Sequence, residues 1–99
     1  MIRSNTLMRP LTHALPGALA ALLRDAPLSA GKVNFAWRAA VGAGVERVTS
    51  VRLENGVLVV EAATAQWAQE VTRSSVLILS RLKTLLGNST VTRIVVREP

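Results

Sequence analysis

Residues 51–87, VRLENGVLVVEAATAQWAQEVTRSSVLILSRLKTLLG, decide the fold. Two short runs meet at Asn55-Gly56, a pair that favours a type I′ turn between antiparallel strands. A long amphipathic run follows, opening at Gln66-Trp67-Ala68 and stopping at Gly87. The stretch reads as strand, tight turn, strand and long helix. The residues before it are expected to cover this unit, and those after it to complete its sheet.

A two-residue turn determines which residues face each other. Glu54 opposes Val57; counting outward, Leu53 faces Leu58, Val51 faces Val60 and Thr49 faces Ala62, all on the side read as the core. The other side carries Arg52 opposite Val59 and Ser50 opposite Glu61, as expected of an antiparallel sheet with one wet face. The closing segment, Val91 to Arg97, also alternates. With Ile94 and Val96 inward, Arg93, Val95 and Arg97 point outward, so Arg52, Arg93 and Arg97 form an arginine cluster if the third strand joins the same sheet.

In the long helix, Thr64 is the expected N-cap and Gly87 the expected stop. Trp67, Val71, Ile78, Leu82 and Leu85 share one face, flanked by Ala68, Leu79 and Leu86. Val76 and Leu77 fall outside that stripe, just after the polar run Thr72-Arg73-Ser74-Ser75. Either the helix breaks there or these two residues face a partner, and the polar run favours the break.

Upstream, residues 1–12 lack periodicity and are expected to form a flexible basic arm, leaving residues 13–99 as a single domain. Leu15, Leu19, Leu22 and Leu23 keep helical spacing, with Pro16 in the first turn and Asp25-Ala26-Pro27 at the end. Ser29 is the expected N-cap of a second helix that carries Val33, Trp37, Ala40 and Val41 on one stripe and stops at Gly42. Gly42-Ala43-Gly44 reads as a turn; no strand precedes it and no GKS/T follows, so it is not a phosphate loop. The order α-α-β-β-α-β predicts an α+β domain, a small three-stranded sheet covered on one face by helices.

Composition narrows the function. The chain has 99 residues, 49% hydrophobic but only 3% aromatic, so the core must be aliphatic. It has no cysteine, which removes disulfides and thiolate metal sites. Twelve Lys and Arg against six Asp and Glu give a net charge of +6, pointing to nucleic acid or another acidic partner. No apolar run approaches the ~18 residues of a membrane span. Thr12, His13 and Pro16 interrupt the one stretch with the outline of a leader, so a cytoplasmic protein is expected.

His13 is the sole histidine, and the acids are scattered with no spacing that makes a catalytic pair. The expectation is a non-enzyme with no metal and no cofactor. Trp37 and Trp67 both lie on apolar stripes, the ordinary position of a core residue. Trp67, in the first turn of its helix, is also open to a second reading as a half-covered anchor for a base or a partner protein.

Trp37-Arg38-Ala39-Ala40-Val41-Gly42, Leu53-Glu54-Asn55-Gly56-Val57-Leu58-Val59-Val60 and Gln66-Trp67-Ala68-Gln69-Glu70-Val71, with Leu85-Leu86-Gly87 and the Val91 to Val96 strand in the same order, resemble the DciA family. Its pattern is a W-x-x-x-V-G helix end, a G-x-L-x-V strand and a W-A-x-E-L helix start. Trp37, Gly42, Gly56, Trp67 and Glu70 match it, over about residues 15 to 97. The resemblance implies a fold like the type II K homology (KH) domain, and a role in bacterial replication in which DnaB helicase is loaded and DNA is bound. Two departures accompany it. The GXXG loop of K homology domains would fall near Thr72 to Ser75, which has no glycine, and the chain reads as a short member without the long extension that many family members carry.

The leading expectation is therefore a DNA-binding accessory protein of the replicative DnaB helicase, contacting single- or double-stranded DNA through Arg52, Arg93, Arg97, Arg73, Arg81 and Lys83. The alternatives are a protein-interaction module acting through Trp67, Val76 and Leu77, and an RNA-binding KH-like domain.

Overall fold

The computed structural model describes residue 21 and residues 25–99. The arm expected at residues 1–12 and nearly all of the helix expected over Leu15 to Leu23 lie outside them. The described chain runs α1 (Ala30–Val41), α2 (Ala43–Glu46), β1 (Thr49–Glu54), β2 (Val57–Ala62), α3 (Ala65–Arg73), α4 (Ser75–Leu86) and β3 (Arg93–Arg97).

Asn55 and Gly56 both adopt positive φ, +50° and +81°, the requirement of a type I′ hairpin turn. The register is the one that turn length dictates, from Glu54 opposite Val57 to Thr49 opposite Ala62. Strand β3 joins the far side of β2 in parallel, so β2 is the middle strand of a mixed sheet ordered β1-β2-β3. A parallel neighbour needs a long crossover, and α3 and α4 supply it. Thr92 then clasps the hairpin: its backbone N–H and its hydroxyl both donate to the Gly56 carbonyl oxygen, at 2.7 and 3.1 Å.

Local chemistry sets the helix ends. Ser29 Oγ accepts from the Lys32 N–H at 3.1 Å and Thr64 Oγ1 from the Trp67 N–H at 3.1 Å, each satisfying an otherwise orphaned amide of a first turn. Gly42 and Gly87 close α1 and α4 at φ +89° and +98°. The expected Gly42-Ala43-Gly44 turn is more regular than its sequence suggests. Gly42 reverses the chain, and its carbonyl then accepts from Glu46 N–H at 3.0 Å, starting the single-turn helix α2.

Helices cover one face of the sheet. Val33, Ala36, Trp37 and Ala40 of α1 and Val71 of α3 meet Leu58 and Val60 of the middle strand, with Ile78, Leu82, Leu85 and Leu86 of α4 and Val91. Val51, Leu53, Ile94 and Val96 pack against this cluster from the two outer strands, the inward set expected from alternation. Each fully buried side chain of this size contributes about 1.5–3 kcal/mol relative to exposure. Trp37 is 1% exposed and anchors the α1–β1 corner. Its Nε1–H donates to Thr49 Oγ1 at 2.9 Å, and that hydroxyl donates onward to the Val45 carbonyl at 2.8 Å, so the indole is buried with its polar atom satisfied.

The long helix is two helices. Ser74, at φ −96° and ψ 6°, separates α3 from α4, in the polar run where the sequence pattern falters. The break does not bury the two residues that signalled it: Val76 is 83% exposed and Leu77 53%. The other departure is Val59, which faces the open side yet is buried, because a middle-strand residue stands between its register partners Arg52 and Val95.

Candidate nucleic-acid and partner interfaces

The open face of the sheet presents Ser50, Arg52 and Glu54 from β1, Val57, Val59 and Glu61 from β2, and Arg93, Val95 and Arg97 from β3. The three arginines expected there share the face, but they are not equivalent. Arg52 lies between two carboxylates: Nε donates to Glu54 Oε2 at 2.5 Å and Nη1 to Glu61 Oε2 at 3.2 Å. The hydrogen bond to Glu54, then that to Glu61, raises the guanidinium pKa above its ordinary value, so Arg52 remains charged. Arg93 and Arg97 are exposed and enter no ion pair among the described residues. Four positions apart on one strand, their Cα atoms are separated by roughly 13 Å at ~3.3 Å per residue.

Arg73, Arg81 and Lys83 belong to the helical layer, which packs on the opposite face. Arg73, in the last turn of α3, pairs with Glu70 Oε1 at 2.7 Å. Arg81 of α4 donates from Nη1 to the Ala40 carbonyl oxygen at 2.8 Å and so braces the end of α1. Lys83 is half-buried in the last turn of α4, where a cation complements the helix dipole. The six basic residues singled out from the sequence thus divide into two groups on two sides of the molecule.

Of the residues read as partner contacts, Trp67 and Leu77 line one hollow and Val76 does not. Trp67, capped into the first turn of α3 by Thr64, is half-buried. It lines a cavity of about 160 Å³ with Val41, Val45 and Leu77, with Glu70 and Arg81 among the polar lining groups. Val76 stands beside Leu77, more exposed still. The hollow is largely apolar, with an aromatic wall and a charged margin.

Sequence reasoning missed three interactions: Thr49 as the partner of Trp37, the Arg81–Ala40 brace, and the two carboxylates on Arg52. The last was within reach, because the hairpin register already set Glu61 opposite Ser50, diagonal to Arg52. The brace joins residues 41 positions apart and left no local signal.

Among the described residues no three His, Cys, Asp or Glu side chains are grouped to hold a metal, and no helix is long and apolar enough to cross a membrane. The α+β fold, a three-stranded mixed sheet with helices packed on it, is compatible with a KH-like arrangement. The sequence model of the family described as "Dna[CI] antecedent, DciA" matches residues 10–96, and the chain belongs to the DciA family. That family consists of helicase-loading accessory proteins, and membership implies a role in loading the DnaB helicase during replication. No curated protein and no solved structure matches the chain.

Proposed function

We propose that the protein is a DNA-binding accessory factor that assists loading of the replicative DnaB helicase in the cytoplasm, using two separate surfaces. The helicase docks at the junction of α3 and α4, against Trp67, Val76 and Leu77. The observation that carries this part is the exposure of Leu77 and its neighbour Val76 on α4, with Leu77 lining the hollow beside the half-buried Trp67. Large apolar side chains held in solvent next to a hollow raise the energy of the free protein and are covered in a complex.

DNA lies along the open sheet face. Arg93 and Arg97 lead the contact, since neither has a partner to surrender among the described residues. Arg52 shares that face but must exchange Glu54 and Glu61 for phosphate. Arg73, Arg81 and Lys83 contribute from the helical side, to the field more than through direct contact. The face lacks the aromatic platforms on which single-stranded bases stack, so binding is to the phosphate backbone and depends steeply on salt. Labelled single-stranded DNA titrated at two salt concentrations tests this: no salt-sensitive binding would remove the DNA half of the reading.

A second reading, a protein-interaction module without nucleic-acid binding, draws on the same Val76 and Leu77 exposure. It predicts a helicase complex and no DNA affinity. A preference for RNA over DNA in that titration would instead favour an RNA-binding domain.

A further inference from the structure

Register arranges the open face in three ranks across β1, β2 and β3: Glu54, Val57 and Arg93; Arg52, Val59 and Val95; Ser50, Glu61 and Arg97. Glu54 lies two residues along β1 from Arg52, and Glu61 lies diagonal to it on β2, both within reach of a long side chain on one face. Both contacts form, at 2.5 and 3.2 Å. Glu61 is also the register partner of Arg97, on a strand ~4.8 Å away. Its Oε2 nevertheless engages Arg52, and no ion pair joins it to Arg97.

Three arginines against two carboxylates leave the face positive, but the charge is unevenly spread. Both carboxylates stand with Arg52 on the β1–β2 side, whereas Arg93 and Arg97 on β3 have no acid paired to them among the described residues. The side chains of Arg52, Glu54 and Glu61 are 45–53% exposed, so an arriving phosphate can reach them. At Arg52 it meets a guanidinium whose Nε and Nη1 already donate to carboxylates, with two negative charges beside it.

We propose that Glu54 and Glu61 limit the affinity of this face for nucleic acid, by occupying Arg52 and turning phosphate away from β1, so that a bound strand is confined to β3 along Arg93 and Arg97. The inference rests on the reading of the open face as the DNA surface and adds what regulates it. The two carboxylates are positioning residues: they act through Arg52 and touch no part of the strand. Exposed ion pairs are individually weak, so the restraint on Arg52 is one that a single charge change relieves. A face limited in this way also releases a strand readily.

The test measures binding of labelled oligothymidylate to the full chain over a series of salt concentrations. It compares the native protein with Glu54→Gln/Glu61→Gln, each with and without Arg52→Ala. Glutamine keeps the side-chain shape and removes the charge, and neither glutamate belongs to the core cluster, so the fold should be kept. Binding by the glutamine variant should be roughly threefold to tenfold tighter, the scale of two exposed ion pairs. Its logarithmic salt slope should be steeper by about 0.7, one further phosphate neutralised. Both gains should vanish with Arg52→Ala, which separates release of Arg52 from a general rise in positive charge. A native protein that binds while the glutamine variant binds no tighter, or a gain that survives Arg52→Ala in full, would overturn this proposal and leave the DNA reading standing. No binding by the native chain or by the glutamine variant would overturn both.

Discussion

Arg81 Nη1 donates to the Ala40 carbonyl oxygen at 2.8 Å, fastening the middle of α4 to the last turn of α1. A hydrogen bond from a charged donor is worth more than a neutral one, and partial exposure discounts it. Arg81→Ala should cost about 1–2 kcal/mol of stability. Urea unfolding checks this, and DNA affinity measured on the same variant should change less than in Arg93→Ala.

Gly56→Ala acts at the hairpin turn. At φ +81° an added Cβ is strained, and it would stand 3.3 Å from Thr92 Oγ1, the group that clasps the turn to β3. A left-handed conformation costs an L-residue about 1–2 kcal/mol, and the urea midpoint should fall by that equivalent.

Trp37→Ala removes the largest fully buried side chain and the donor to Thr49. Large-to-small core changes of this kind cost about 3–5 kcal/mol. Against the ~5–15 kcal/mol of a typical native domain this consumes much of the total, and thermal unfolding should shift far downward.

Arg93→Ala with Arg97→Ala should flatten the salt dependence of single-strand binding, by roughly 0.7 in the logarithmic slope for each phosphate that is no longer neutralised. Arg52→Ala should change it less, because Glu54 and Glu61 already occupy that guanidinium. Equal effects of Arg52 and Arg93 would indicate that the carboxylates release Arg52 on binding.

Legibility followed the range of the interaction. The register from Thr49 to Glu54 was readable because the turn is two residues long, and the inward placing of Ile94 and Val96 because alternation is local. The Ser74 break was readable as a fault in the apolar stripe at Val76 and Leu77, although the break left both exposed. The parallel direction of β3 follows from how α3 and α4 cross the sheet, which no residue near Arg93 encodes. The candidate surfaces were legible as residue types but not as arrangements. Periodicity puts Arg52 on the open face, whereas the ion pairs that distinguish it from Arg93 and Arg97 depend on side-chain geometry across two strands.

The most direct test of the central claim is capture of the replicative DnaB helicase by this protein after nuclease treatment, comparing the native chain with Val76→Ser/Leu77→Ser. Both residues are exposed, so the variant should keep its fold. The account predicts a nuclease-resistant complex with the native chain and its loss with the variant. A complex that nuclease destroys, or that the folded variant retains undiminished, would contradict it.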